Sequence, residues 1–491
     1  MNNEILLPEN APVRLTSAQL EELDYRKLYR AYSAKGRKSK VDPRVLFKVI
    51  AYGYQCGIYS SRKLEEACRY RVDFMWLLEE EPVPDHTTLA RFRTGRCAEA
   101  VEDLFYQYVA RLEQQGETDH GTVFVDGTKL ESRAGRYTFC WRKSVEKHLK
   151  TVRQKAVDMT GRKSLLGLKA YLEELEAGSS FVHGSGCRKS ETQKLDELRC
   201  RWEEYEKSLE IMGPSRNSYS KTDPDATFMR MKEDHMRNGQ LKPAYNVQIA
   251  VNSEYITGIE TFSDRTDLGT LVPFLEELKR QHKGKYAEVT ADAGYESLEN
   301  YLYLEKNGQM SFIKPSNYEV RKTKRFKEQV GRIENMTYDE QWDAFICTYG
   351  KTLSLRRETM ELVQGRPVTT SWYRCEDCTN CPHRSACCQA KDLAKPKEVV
   401  LKKTFWEMRA ASQENITTEH GIYLRMCRSI QVERAFGLLK NDFGFRRFLT
   451  RGKTNIRTEL FFLALAYDLK KLWMKRENGR LKTHLSEITV V

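Results

Sequence analysis

The hydrophobic positions of the chain change period along its length. Up to about residue 119 they recur at helical spacing. "TSAQLEELDYRKLYRAY" carries Thr16 and Gln19 at capping-box spacing. Asp42-Pro43 opens "PRVLFKVIAYGYQCGI", with Asp suited to the N-cap and Pro to the first helical position. Ser60 or Ser61 opens "RKLEEACR", and Asp85 opens "HTTLARFR", which runs on through "AEAVEDLFYQYVARLEQQ". Short helices, tight turns and scattered arginines predict an all-α, helix-turn-helix-like domain over 1–119. His86, Thr87, Thr88, Arg91 and Arg93 fall near the start of its candidate recognition helix. A plain helical bundle fits these residues equally well.

At Gly121 the period shortens. "TVFVDGTKLES" is a β-branched and aromatic run, read as a buried strand that delivers Asp126 at its C-terminal end. A charged helical stretch follows over about 142–222 and reads as an inserted helical hairpin, by default a solvated structural arm. Strand patterning resumes in "AYNVQIAVNSEYITGIETF", a hairpin turning at Asn252 to Glu254. "TLVPFLEELKRQ" is helical, "YAEVTADAGYES" repeats the strand-then-acid pattern at Asp292, and "MSFIKP" is one more strand. Residues from about 318 to 420 read as polar, irregular and cysteine-rich. "SIQVERAFGLLKNDFGFRRF" and "ELFFLALAYDLKKLWMK" are late helices. The expected architecture is an α/β mixed-sheet domain over 120–475, interrupted twice, with a basic tail over 476–491.

The 491 residues carry a net charge of +13. That balance points to a polyanionic partner, most often nucleic acid, over a merely basic surface. The N-terminus shows no basic leader followed by an apolar stretch, and no run of about 18 apolar residues suggests a membrane span. A cytoplasmic, nucleoid-associated protein without a membrane partner is expected. Thirteen cysteines, five of them crowded between Cys375 and Cys388, favour metal over disulfides in a reducing compartment.

Three acids stand out by position. Asp126 and Asp292 each follow a strand, and Glu433 sits on a helix among cations. Gathered at one cleft they would repel one another unless they held cations. Hard oxygen donors suit Mg²⁺ or Mn²⁺, and two such ions can clamp a phosphodiester. On the Glu433 helix, Val432, Ala435, Phe436 and Leu439 form an apolar stripe. Glu433, Gly437 and Lys440 fall beside it, with Gly437 leaving room for a DNA backbone. Two further acids, Asp223 and Asp225, are explained by an Asp-Pro turn. Lys129 and Tyr295, beside the two strand acids, are candidate cleft residues.

The blocks "VFVDGTKLES", "AYNVQIAV", "VTADAGYES" and "SIQVERAFGLLKNDFGFRRF", in this order, resemble the signature blocks of bacterial insertion-sequence DDE transposases with an RNase H-like core. The N-terminal helical region resembles the domain that accompanies one large branch of them. The resemblance implies that Asp126, Asp292 and Glu433 are the catalytic, Mg²⁺- or Mn²⁺-holding triad. It implies hydrolysis at the element ends, strand transfer to target DNA, and a homo-oligomer pairing two ends in a synaptic complex. Lys440 keeps the family's seven-residue step from the glutamate, whereas Arg428 and Tyr423 are each displaced from the pattern. Arg434, Arg446 and Arg447, with Arg91 and Arg93, are the remaining candidate DNA contacts. A structure-selective nuclease on the same core, or a catalytically decayed DNA-binding copy, are the rival readings.

In "CEDCTNCPHRSACC" the two-residue gaps suit tetrahedral thiolate ligation. Cys375, Cys378 and Cys381, with Cys387 or Cys388, are the candidate ligands of a structural Zn²⁺; iron–sulfur ligation is the alternative.

Overall fold

The β-branched run at Thr122 forms the middle of a mixed sheet. A computed structural model describes residues 6–32, 39–178, 190–231, 239–378, 380–388 and 395–484. Parts of the helical insertion and of the basic tail lie outside the described residues. Strands β1 (Thr122–Glu131), β4 (Thr227–Arg230), β5 (Leu241–Asn252), β6 (Tyr255–Phe262), β7 (Glu288–Ala291) and β8 (Met310–Ile313) make the sheet. Its order is β4-β5-β1-β7-β8, with β6 also on β5; β5 is antiparallel to β1, while β7 and β8 run parallel to it. This mixed α/β arrangement is consistent with an RNase H-like DDE core.

Alternation along β1 feeds two cores. Val123 and Val125 pack with the helices Leu271–His282 and Leu298–Lys306. Phe124 and Leu130 face the other side, into a cluster shared with the N-terminal helices and the long helix Lys453–Glu477. That last helix packs on β6 and on the helices Pro43–Gln55 and Val101–Gln114. The helices from Pro12 to Gln114 are therefore welded to the sheet through the C-terminal helix.

The capping signals are partly realised. Asp42 accepts from the Arg44 N–H and Asp85 from the Thr88 N–H, both at 2.7 Å. Thr16 is no cap: its helix starts earlier, at Pro12, and its buried hydroxyl donates to Gln55 Oε1 at 2.7 Å. The β5–β6 hairpin turns at the expected place, with Ser253 and Glu254 both at positive φ (51° and 75°). Two non-glycine residues in that region are strained. Among the contacts that hold them there, Gln431 Oε1 accepts from the Glu254 N–H (3.0 Å), Lys471 pairs with its carboxylate (3.4 Å), and the Tyr467 hydroxyl donates to its carbonyl (3.2 Å).

The insertion after β1 holds the helices Arg142–Thr160, Leu165–Gly178 and Glu191–Met212. A two-stranded ribbon, β2 (Phe139–Trp141) with β3 (Ser218–Ser220), closes its base. Residues 318–420 are not irregular as expected. They contain a five-stranded antiparallel sheet, ordered β13-β12-β11-β10-β9: β9 Thr337–Asp339, β10 Ala344–Ile346, β11 Thr352–Val363, β12 Arg366–Cys375, β13 Glu398–Lys402. Charged, exposed side chains on β11 masked its period.

Asp126 is also not at the end of its strand. β1 continues to Glu131, paired with β5 throughout. At that far end Asp223, fully buried, accepts from Ser132 Oγ (2.5 Å), Tyr245 Oη (2.8 Å) and the Gly452 N–H (3.1 Å). It ties β1, β5 and the C-terminal helix together, which is more than the turn assigned from sequence. Asp223→Ala would leave two buried hydroxyl donors and one half-buried N–H without this acceptor. We expect a loss of roughly 2–4 kcal/mol, read as a lower urea midpoint; a loss below about 1 kcal/mol would contradict this role.

Candidate active site

The parallel register of β1 and β7 brings the first two acids together. Thr122 faces Glu288, Val123 faces Val289 and Phe124 faces Thr290. Two residues further along each segment lie Asp126, within β1, and Asp292, directly after β7, on the same face. The two carboxylates are arranged alike. Asp126 Oδ1 accepts from the Gly127 N–H and Asp292 Oδ1 from the Gly294 N–H, each at 2.8 Å. Both Oδ2 atoms face one guanidinium: Arg428 Nη2 lies 3.1 Å from that of Asp126 and 3.8 Å from that of Asp292. The Asp126 side chain is 12% exposed and that of Asp292 41%, so the pair opens to solvent on the Asp292 side.

The opposite face of the sheet supports this pair with groups that sequence reading missed. Gln248 Nε2 donates to Asp267 Oδ1 (2.9 Å) and Asn246 Oδ1 (3.0 Å), and Asn246 Nδ2 donates to Asp267 Oδ1 (2.7 Å). The Tyr295 hydroxyl donates to Gln248 Oε1. Burial, followed by the charges of Asp267, Asp126 and Asp292, pushes the Tyr295 phenol well above its usual pKa, so it stays a donor. Tyr295 is thus a buried support and does not line the cleft. Gly127 belongs to the same design, because a Cβ there would collide with Gln248 and Asp267. The available signal was Asn246 and Gln248, two amides alternating with the apolar residues Tyr245, Val247 and Ile249.

Glu433 ends a π-helix, Ser429–Glu433; a short α-helix, Arg434–Gly437, and a second π-helix, Leu438–Asp442, follow it. The expected apolar stripe is present, with Val432, Ala435 and Leu439 buried and Phe436 half-buried. The uniform α-helical register is not. On an α-helix, residues five apart point about 140° away from each other. The i→i+5 ladder of a π turn brings them back to one face. The π turn thereby absorbs the one-residue displacement of Arg428, which reaches the carboxylate pair. Glu433 itself is exposed.

The remaining candidate cations divide. Arg434 and Arg91 are exposed. Arg446 is exposed and leans on Lys440 O and Asn441 Oδ1, both at 3.4 Å, at the end of the second π-helix, which contains Lys440. Arg447 is committed to the carbonyls of Ser132 (3.0 Å) and Ala134 (3.2 Å) past the end of β1. Arg93 is 7% exposed and donates to Tyr59 O at 2.7 Å, so it braces the helical region.

The cysteine segment gains a member. Cys347, just after β10, and Cys375, at the end of β12, lie at one end of the second sheet. With Cys378, Cys381 and Cys387 they line a cavity of about 20 Å³. The Lys351 N–H points at Cys347 Sγ (3.4 Å) and the Lys397 N–H at Cys378 Sγ (3.3 Å). Burial pushes the Cys375 thiol up to about 12, with the neighbouring Cys378 adding to the shift. His383 stacks on Tyr349 with ring centroids 4.0 Å apart.

In donor chemistry the two aspartates fit a hard divalent cation and the thiols fit Zn²⁺. In position neither set is complete. Among the described residues, no three His, Cys, Asp or Glu side chains are gathered into a group that would hold an ion. The structure thus unites two acids of the expected triad and leaves Glu433 outside.

Two families match the chain. The Transposase DDE domain family matches residues 346–473, a span that includes Glu433, Lys440 and the cysteine segment but not the two aspartates. The family described as Transposase domain (DUF772) matches residues 2–95. No curated protein and no solved structure matches. An N-terminal span matching one transposase family and a later span matching a DDE family indicate an insertion-sequence DDE transposase.

Proposed function

We propose that the protein moves its own element by divalent-metal-dependent phosphoryl transfer on DNA. The observation that carries this reading is the paired Oδ2 atoms of Asp126 and Asp292, held in register and turned to one cation. A Mg²⁺ or Mn²⁺ bound there would supply Lewis-acid charge to the attacking and leaving oxygens. Asp126 and Asp292 would hold it from the sheet. Glu433 would join them from the end of the π-helix when DNA is bound.

The reaction is two displacements at phosphorus. Water attacks a phosphodiester at an element end; the P–O3′ bond breaks and the 3′ oxygen leaves as a hydroxyl after taking a proton. That hydroxyl then attacks a target phosphodiester, forming a new P–O bond as the target's own 3′ oxygen departs. No covalent protein intermediate is needed. Arg434, Lys440 and Arg446 would meet DNA phosphates along the π–α–π helix, and Arg91 from the helical region, giving salt-dependent affinity. A homo-oligomer would pair two ends in a synaptic complex. No described helix is long and apolar enough to cross a membrane, and we place the protein in the cytoplasm with the nucleoid.

Glu433→Gln is expected to lower strand cleavage roughly 100- to 1000-fold, on the order of losing one catalytic group, while end binding in a gel shift stays within about threefold. Full cleavage by this variant with Mg²⁺ would defeat the triad. Products joined to target DNA, rather than cut ends alone, separate a transposase from a nuclease.

We also propose a structural Zn²⁺ on Cys375, Cys378, Cys381 and Cys387, with Cys347 as a further thiol on the same wall. Protein purified without chelator should carry about one zinc per chain by mass spectrometry of the metal, and Cys378→Ser should lose it. Absence of both zinc and iron would leave the cluster as packing alone.

A further inference from the structure

The Arg428 guanidinium stands where the two carboxylates converge. Its Nη2 reaches both Oδ2 atoms, and each Oδ1 is already engaged by a backbone N–H. The oxygens turned outward are therefore the ones the arginine uses. The side chain is 16% exposed, and its Nε is buried with no hydrogen-bond partner. A buried N–H without an acceptor is costly. It is also a donor that neither aspartate satisfies.

We infer that Arg428 is the resident counter-cation of the Asp126–Asp292 pair, and that a DNA phosphate draws it off as the divalent ion enters. This rests on the reading of these aspartates as metal ligands. Two like charges on adjacent strands need a cation between them. A guanidinium fills that need before metal arrives, but it cannot share the same two oxygens with a dication at contact distance. Entry of the ion therefore requires the guanidinium to move.

Where it moves follows from its chemistry. Its planar fork, with Nε and Nη2 donating in parallel, matches a phosphate oxygen pair. On phosphate the orphaned Nε gains an acceptor. The π turn that begins at Ser429 places Arg428 on the Glu433 face, so the arginine would leave from the side on which the third carboxylate arrives. DNA binding and metal binding are then linked, and the linkage is reciprocal.

The test measures Mn²⁺ affinity by calorimetry on the full chain, without DNA and with a duplex carrying the element's own end. Arg428→Gln should bind Mn²⁺ at least about tenfold tighter than the unmodified protein in the absence of DNA. Arg434→Gln, which removes an exposed charge from the same helical segment, should change it less than about threefold. Arg428→Lys, which keeps the charge but loses the fork, should fall between, and guards against a folding defect in the glutamine variant. The DNA-induced gain in Mn²⁺ affinity should be smaller in Arg428→Gln than in the unmodified protein. An unchanged or weaker affinity in Arg428→Gln, or an equal gain in Arg434→Gln, overturns the counter-cation. Equal DNA-induced gains overturn the exchange with phosphate. If Asp126→Asn binds Mn²⁺ as tightly as the unmodified protein, the reading of the aspartates fails instead.

Discussion

Two carboxylates held side by side on parallel strands repel each other, and the fold around Asp126 and Asp292 manages that repulsion. Each is fastened through Oδ1 to the backbone just past it, and Arg428 neutralises the pair through Oδ2. Behind them an amide and hydroxyl network fixes the strand ends from the opposite face. In front, the π-helix that directly follows Arg428 is pinned by Gln431 to the strained β5–β6 turn, which the C-terminal helix holds in turn. Register, turn and helix all serve one geometry: two oxygens converging on one positive charge.

That geometry also explains the sign pattern of the late helix. A segment with arginines on either side of a single glutamate looks contradictory if all its charges face the same partner directly. Arg428 faces carboxylates of its own chain, Arg447 faces carbonyls past the end of β1, and Arg434 faces solvent. The cations therefore have separate duties, and Glu433 stands exposed beside those that remain available for a polyanion.

Much of the fold was legible because it rests on local rules. Asp42 and Asp85 announce their helices, the Ser253–Glu254 turn falls between two alternating runs, and the strands before Asp126 and Asp292 are dense in β-branched and aromatic residues. What sequence could not show was non-local or against local rules. The second sheet was hidden by charged side chains on β11. Cys347 gained meaning only when that sheet set it beside Cys375. Arg93 looks like a surface cation until the C-terminal helix, hundreds of residues away, buries it. Arg428 is out of step with an α-helical period, and no propensity announces a π turn. Asp267, Asn246 and Gln248 act together only across the folded sheet.

The most direct measurement is where a bound divalent ion sits. Fe²⁺ substituted for Mg²⁺, with ascorbate and peroxide in the presence of element-end DNA, cuts the polypeptide within reach of the ion. Cuts clustering near Asp126, Asp292 and Glu433, suppressed by excess Mg²⁺, are the predicted result. Cuts confined to the cysteine segment, or spread without preference along the chain, would contradict a catalytic centre built on these three carboxylates.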